Sequence, residues 1–245
     1  MPELPEVEIV KQSLDKNIKF QKIKKVVVRN RNLRFKISKD FEFFLTNKKI
    51  VRISRKSKYL ILHLSNNTFC TIHLGMSGTI HLLDKNNSIN NTNSSFYNSP
   101  NLPSKHNHIE IFLKKCRLIY NDPRRFGFIK IFKNKKILLK FFNNIGPEPL
   151  NKKFNINYIF DYFINKKKNI KSFLLDQKFV SGIGNIYASE ILFHCKINPF
   201  KQAKNLTKLD IKKIRYFSKV ILNKAIKKGG SSIRNFKNVL GQDGS

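Results

Sequence analysis

The first hydrophobic positions of the chain recur at helical spacing. They place four side chains on one face of a helix over residues 3–18, namely Val7, Val10, Leu14 and Ile18. Pro2 and Pro5 stand in its first turn, where the missing N–H of proline is tolerated. The pattern predicts an N-terminal helix with one buried face.

From residue 23 to residue 132 the pattern changes to short runs that alternate or are rich in β-branched and aromatic residues. The eight runs are Ile23–Val28, Ile50–Ile53, Tyr59–Leu64, Thr68–His73, Thr79–Leu83, His108–Leu113, Arg117–Tyr120 and Phe128–Phe132. Eight closely spaced strands indicate a β-sandwich or a flattened barrel. Residues 84–105 are rich in Asn and Ser and predict a mobile loop.

Beyond residue 132 the pattern becomes helical. Gly146 to Pro149 form a cluster of helix breakers, and Thr207 with Asp210 resembles a capping box that opens a helix ended by Gly229 and Gly230. We therefore predict an α+β chain, with an N-terminal β-sandwich domain flanked by helices and then a helical domain. The expected divisions are a domain at 1–133, a linker region at 134–150, a helical domain at 151–230 and a last segment at 231–245.

The net charge of +34, from 49 basic and 15 acidic residues, makes nucleic acid the first expected partner. This excess of basic residues is only moderate evidence for nucleic-acid binding, because a mutational bias toward A/T-rich codons would also produce many lysines. The chain has 39 lysines but only 10 arginines, and it is rich in residues with A/T-rich codons. No apolar run reaches the roughly 20 residues of a membrane span, and the acidic N-terminus lacks the form of a signal peptide. We expect a cytoplasmic protein without a membrane partner.

Cysteines and histidines give no metal-ligand pattern. Cys70, Cys116 and Cys195 are widely spaced and form no CxxC pair, which predicts reduced, buried side chains. The six histidines form neither HxxxH nor HExxH. His106 and His108 alternate onto one predicted strand face, and we interpret them as structural residues or contacts to a DNA backbone. We expect no metal ligands.

The N-terminus offers candidate chemistry. If Met1 is removed, Pro2 gains a secondary amine, and α-amines have a pKa of about 7.7–8.0. Such an amine attacks an electrophilic carbon and forms an iminium, while Glu3 and Glu6, three residues apart, are placed to move protons. The alternative is a helix that begins with proline and acids because the macrodipole favours them.

Six segments occur in an order that resembles the bacterial formamidopyrimidine-DNA glycosylase family, also called MutM. They are MPELPEVE at 1–8, RKSKYL at 55–60, HLGMSG at 73–78, DPRRFG at 122–127, GPEP at 146–149 and SGIGNIYASE at 181–190. The resemblance extends from Met1 to about Gly244. Leu4 with Met76, Arg124 and Phe126 is similar to this family rather than to endonuclease VIII.

The resemblance implies a DNA glycosylase that also cuts abasic sites. Pro2 would attack C1′ of an oxidised purine nucleotide, such as 8-oxoguanine or a formamidopyrimidine, and Glu3 would move protons during ring opening and the eliminations. Glu6 would support that site, and Lys58 would contact the phosphate and sugar. The alternative for Lys58 is a solvated lysine at a strand end.

The resemblance also implies a DNA interface for a monomer. Met76, Arg124 and Phe126 match a trio that fills the gap left by a flipped base, next to Arg125. Without the resemblance, the residues themselves favour the alternative in which Met76 and Phe126 lie in the protein core and Arg124 lies on a turn. In the helical domain the resemblance implies a helix–two-turn–helix motif with the DNA backbone held by two residues, Lys171 and Asn185.

Family members continue, after a GGSS-like segment, to a zinc finger with four cysteines. Ser231 and Ser232 match that segment and imply the start of a loop over the flipped base. No cysteine follows Cys195, so we expect no zinc bound by this chain. Two alternatives to an active glycosylase stay open: a truncated, catalytically impaired DNA-binding remnant and a general basic nucleic-acid-binding protein.

Overall fold

The computed structural model describes residues 2–84 and 104–230. The chain divides into two compact units, one of residues up to 141 and from 228 onward, the other of residues 142–227. Residues 85–103 of the predicted mobile loop, and the last segment from residue 231, lie outside the described residues.

The first unit begins with α1 (Leu4–Ile18), whose buried face holds the four predicted side chains, Val7, Val10, Leu14 and Ile18. Glu3 caps the helix and Pro5 is its second residue, so Pro2 precedes the helix instead of lying in its first turn. The one-residue difference matters because it leaves the Pro2 nitrogen outside the helical ladder.

All eight predicted strands are present. Their bounds are β1 Lys25–Val28, β2 Ile50–Lys56, β3 Tyr59–Leu64, β4 Phe69–His73, β5 Thr79–Asp84, β6 Asn107–Phe112, β7 Cys116–Asn121 and β8 Phe128–Phe132. They form two antiparallel sheets, ordered β1-β6-β7-β5 and β2-β3-β4-β8. The short helix α2 (Phe41–Leu45) precedes β2 and was not predicted.

Both sheets contribute to one apolar core. Val26, Ile111 and Leu118 come from the first sheet, while Leu62 and Ile72 come from the second. The strands around this core are buried over most of their length: β4 is buried from Phe69 to Ile72, and β7 is buried from Leu118 to Asn121. The predicted α+β fold with an N-terminal sandwich is confirmed.

The helix α3 (Lys135–Phe142) follows β8 within the segment predicted as a linker. Phe141 packs against the sheet that holds β3 and β8, with ring centroids 5.7 Å from Tyr59 and 5.0 Å from Phe132. The β-rich part therefore continues past its predicted end through this aromatic contact.

The second unit is helical. It contains α4 (Ile156–Phe163), α5 (Ile170–Leu175), α6 (Asn185–Cys195) and α7 (Lys208–Lys227). The predicted capping box is confirmed, because the Thr207 N–H donates to the Asp210 carboxylate and the Asp210 N–H donates to the Thr207 hydroxyl, each at 3.1 Å. Aromatic rings fill its core, with Tyr158 stacked on Phe179 at 5.9 Å.

Helices of the described chain are too short or too polar to cross a lipid bilayer. Even α7, which spans 20 residues, carries lysines along its length.

Candidate functional site

The N-terminal cluster consists of Pro2, Glu3, Glu6 and Lys58, all of them buried. Glu3 and Glu6 form a capping box at the start of α1, and the Glu3 N–H donates to the Glu6 carboxylate at 2.9 Å. The helix start thus fixes both acids next to Pro2. Burial of two carboxylates is costly unless they serve hydrogen bonds or charges nearby.

Lys58 lies in the two-residue turn between β2 and β3 and is only 6% exposed. The alternative of a solvated strand-end lysine is therefore wrong. Arg55 anchors this turn to α1: its Nε donates to Glu8 at 2.8 Å, and another guanidinium nitrogen donates to the Ser57 carbonyl at 2.8 Å. The sequence analysis missed these two hydrogen bonds of Arg55, which connect the turn that holds Lys58 to α1.

Burial lowers the pKa of Lys58 below its ordinary value, and the negative charges of Glu3 and Glu6 act in the opposite direction. The three groups are therefore close enough to influence each other's charge. An ammonium with a lowered pKa gives up its proton more readily than a surface lysine. The cluster thus holds two acidic side chains, Glu3 and Glu6, and one lysine with a lowered pKa near Pro2.

A cleft of about 680 Å³ lies in the same unit. It is lined by His73, Gly75, Met76, Arg124, Arg125 and Phe126, together with residues 32–34. Met76 is 44% exposed and Phe126 is 43% exposed, so the alternative that places them in the core is wrong. The Arg124 guanidinium lies over the Phe126 ring at 4.4 Å, a cation–π contact that orders both side chains.

Two loops carry these cleft residues: the loop between β4 and β5, which holds Met76, and the loop between β7 and β8, which holds Arg124 to Phe126. Glycines let the loops approach. A Cβ at Gly75, whose φ is +62°, would lie 2.4 Å from the backbone nitrogen of Gly127. A Cβ at Gly127 would lie 2.0 Å from the Tyr120 hydroxyl. Only glycine fits this close backbone approach.

His73 is a cleft residue that sequence reasoning did not select for a function. It pairs with Tyr59 across β3 and β4, and Tyr59 directly follows Lys58. Burial, and then the positive charges of Lys58 and Arg34, lower the pKa of His73 to about 4. Its Nδ1 accepts the Gly75 N–H at 3.1 Å, so the neutral ring carries its proton on Nε2. Its place at the start of the HLGMSG segment, three residues before Met76, was the available signal.

The prediction that His106 and His108 share a strand face is wrong. His106 ends a short 3₁₀ helix, Ser104–His106, and is half-buried, whereas His108 is buried in β6. The His108 Nε2 bonds the Asp122 carbonyl at 2.7 Å, which makes it a structural residue. The 3₁₀ turn breaks the period of two on which the prediction rested.

In the second unit, α6 begins at Asn185 after a turn in which Gly182 has a φ of +95°. Gln177, which sequence reasoning missed, holds this turn: it accepts the Gly182 N–H at 2.8 Å and donates to the Ile183 carbonyl at 2.9 Å. Asn185 is exposed at the positive end of the α6 dipole. Lys171 is half-buried in the first turn of α5.

The described residues do not fit the zinc centre that the resemblance implies for the family. Within 2–84 and 104–230, no three His, Cys, Asp or Glu side chains come together as a metal site. Burial raises the pKa of Cys70 and of Cys195 to about 12, which opposes the thiolate that zinc needs. The predicted lesion-loop residues Ser231 and Ser232 lie outside the described residues.

The chain is similar in sequence to known protein families and to curated proteins. The family model of the formamidopyrimidine-DNA glycosylase N-terminal domain matches residues 1–129, and that of the formamidopyrimidine-DNA glycosylase H2TH domain matches residues 145–237. The chain is 40% identical to a formamidopyrimidine-DNA glycosylase of Wolbachia pipientis and 38% identical to one of Histophilus somni. Both alignments cover all of this chain and 85% and 84% of the relatives.

Solved structures agree. A proline mutant of Lactococcus lactis FPG in complex with Fapy-dG containing DNA matches with a TM-score of 0.86 at 34% identity, over 100% of this chain and 85% of that chain. MutM in complex with carbocyclic 8-oxo-G containing DNA matches with a TM-score of 0.85 at 34% identity, with the same coverage. The chain belongs to the formamidopyrimidine-DNA glycosylase family.

Proposed function

We propose that this chain is a bifunctional DNA glycosylase and abasic-site lyase that removes 8-oxoguanine and formamidopyrimidines from duplex DNA. The observation that carries the proposal is the buried cluster of Glu3, Glu6 and Lys58 around the N-terminal proline. A helix start selected only by the macrodipole would leave its acids in solvent and would need no buried lysine across from them.

Pro2 is the proposed nucleophile, and its chemistry requires that Met1 be removed. The Pro2 nitrogen attacks C1′ of the damaged nucleotide, the bond from C1′ to the base breaks, and the base leaves with a proton. The sugar ring opens to give an iminium between Pro2 and C1′. Glu3, fixed next to Pro2 as the cap of α1, protonates the ring oxygen and later accepts protons during elimination.

Two eliminations then cut the DNA strand. Loss of a proton from C2′ breaks the C3′–oxygen bond, and a second elimination breaks the C5′–oxygen bond, so each phosphate leaves with its bonding electrons. Lys58, buried close to Glu3 and Glu6, binds the phosphate and sugar at the lesion. Water attack on the iminium finally frees Pro2.

Exposed residues of the cleft prepare the DNA for this chemistry. The base lies inside the helix, and the enzyme must extrude it at a cost of a few kcal/mol. Met76 and Phe126 are exposed apolar side chains suited to fill the gap, and Arg124 is placed beside Phe126 to bond the unpaired cytosine. We assign phosphate contacts to Arg125, His106, Lys171 and Asn185.

Strand cleavage of a labelled duplex tests the proposal. The substrate carries 8-oxoguanine opposite cytosine, and its control is the same duplex with guanine. The proposal predicts a cut only in the lesion strand, with phosphate on both ends of the gap. A folded protein that binds the lesion duplex and leaves it uncut would instead establish the alternative of a catalytically impaired DNA-binding protein.

A further inference from the structure

A single buried carboxylate joins the two loops of the cleft. Asp122 is fully buried, and three donors from three places reach it. The Ser77 hydroxyl donates to Oδ1, while Oδ2 accepts the Gly127 N–H at 2.8 Å and the Tyr120 hydroxyl at 3.1 Å. The carboxylate therefore bonds the loop after β4 and the loop after β7 at once.

The partners of Asp122 are the chain neighbours of the exposed cleft residues. Ser77 follows Met76, and Gly127 follows Phe126. The Ser77 hydroxyl also accepts the Arg124 N–H at 3.2 Å, which adds a direct bond between the loops. Met76 and Phe126 are therefore each followed in the chain by a residue that donates a hydrogen bond to the Asp122 carboxylate. Arg124 is joined to the same carboxylate through the Ser77 hydroxyl.

The main chain of Asp122 is fixed as well. Its N–H donates to the His106 carbonyl at 3.1 Å, and its carbonyl accepts from His108 at 2.7 Å and from the Arg125 N–H at 3.2 Å. A carboxylate only accepts, so it can serve three donors without a conflicting N–H, and such charge-assisted bonds are about twice as strong as neutral ones. An amide in its place would turn an NH₂ group toward one of these donors.

We propose that Asp122 is a positioning residue that holds Met76, Arg124 and Phe126 in register as one wedge for the gap in the DNA. The inference rests on the proposed function, because it concerns how the duplex is opened and not the chemistry at Pro2. Met76, Arg124 and Phe126 are all exposed, and the hydrogen bonds behind them join the two loops that carry them. A rigid wedge loses less conformational entropy on insertion.

Asp122→Asn tests the inference, with Glu110→Gln as a matched control. Glu110 is also a buried carboxylate of this unit, paired with Arg29 at 2.5 Å and Arg117 at 3.0 Å, but it lies in β6 away from the cleft residues. Three signals are compared: single-turnover cleavage of a duplex with 8-oxoguanine, borohydride trapping on a single-stranded abasic oligonucleotide, and the fluorescence of 2-aminopurine next to the lesion. The last signal rises when bases unstack.

The expected result for Asp122→Asn is a loss of at least about tenfold in duplex cleavage together with loss of the fluorescence rise. Trapping on the single strand, which needs no wedge, should change by less than about twofold. Glu110→Gln should leave all three signals near the wild-type values at a temperature where it is folded. If Asp122→Asn does not fold, Ser77→Ala removes the bond to the Met76 loop and should show the same pattern more weakly.

Wild-type duplex cleavage and fluorescence in Asp122→Asn, or an equal loss of all three signals, would overturn the inference and leave the proposed function standing. If the wild-type protein gives no trapped adduct on either substrate, the proposed function itself fails. The two failures are therefore distinguishable in the same set of measurements.

Discussion

The backbone N–H of Glu3 donates a 2.9 Å hydrogen bond to the carboxylate of Glu6. The bond satisfies a donor that the helix start would otherwise leave without a partner. It also fixes the backbone of Glu3, the residue that follows Pro2, at the N-cap of α1. Glu6 therefore acts on the proposed chemistry through the placement of Glu3.

Two replacements of Glu6 distinguish the effect of its hydrogen bond from the effect of its charge. Glu6→Ala leaves the buried Glu3 N–H without this acceptor, at a cost of about 1 kcal/mol for a lost cap, and should lower kcat on lesion DNA. Glu6→Gln retains an acceptor oxygen and should keep more activity than Glu6→Ala. Single-turnover rates and urea titrations measure both effects. Equal activity of Glu6→Ala and wild type would contradict the role of Glu6 in positioning Glu3.

The exposed side chains of the cleft should matter for function more than for stability. Phe126→Ala removes a ring that is 43% exposed, so we expect the free energy of unfolding to fall by less than about 1.5 kcal/mol, well below the cost at a core site. Cleavage of the lesion duplex should fall by about tenfold or more. Leu82→Ala, at a buried position of β5, is the matched control and should show a large loss of stability. A Phe126→Ala protein with wild-type cleavage would remove Phe126 from the wedge.

Contacts to DNA phosphates should be visible in the salt dependence of binding. Lys171→Ala removes one cation, and each phosphate contact contributes about 0.9 to the slope of log K against log salt. We expect weaker binding to lesion and lesion-free duplexes alike and a slope smaller by about one. Lys212→Ala, an exposed lysine on α7, serves as the control, and fluorescence anisotropy measures both. An unchanged slope for Lys171→Ala would show that Lys171 makes no phosphate contact.

Stability should fall when the pH is lowered from 6.5 to 4. Burial lowers the pKa of His73 and of His81 to about 4, compared with 6.5 for an ordinary histidine. Between these values the unfolded chain binds more protons than the folded one, so this contribution is fully present above pH 6.5 and is lost toward pH 4. Each group should add a slope of up to about 1.4 kcal/mol per pH unit.

Urea titrations across this pH range measure that slope. His81→Gln should remove the contribution of His81 and leave those of His73 and of His63, whose pKa is also lowered by burial. His81 lies in β5 and does not line the cleft. Variants of Met76, Arg124 or Phe126 should keep the same pH dependence of the free energy of unfolding, because they leave both His73 and His81 in place. A free energy of unfolding that does not fall in this pH range would show that the pKa values of these histidines are not lowered in the folded protein.

Local periodicity predicted most of the fold. The apolar spacing of α1 and the eight short runs that alternate or are rich in β-branched and aromatic residues are properties of neighbouring residues, and the structure confirms the helix and the eight strands. The helix α3, within the segment predicted as a linker, could not be found from local periodicity, because its Phe141 packs against Tyr59, far away in the chain. The prediction that His106 and His108 share a strand face was wrong because His106 belongs to a 3₁₀ helix and lies outside the strand.

The supporting residues of the candidate site could not be predicted in the same way. Arg55 bonds Glu8, 47 positions away, and Asp122 bonds Ser77, 45 positions away. Such pairs depend on strand order and loop geometry, which no local pattern contains. The motifs selected the candidate residues of the N-terminal cluster and the cleft, whereas the structure adds those that hold them in place.

Borohydride trapping tests the central claim most directly. The protein, with Met1 removed, is mixed with duplex DNA carrying 8-oxoguanine opposite cytosine, and reduction converts any iminium to a stable bond. The account predicts a covalent adduct whose attachment maps to the Pro2 nitrogen by mass spectrometry and which is lost in Pro2→Gly. An adduct attached at Lys58, or one that persists in Pro2→Gly, would contradict it.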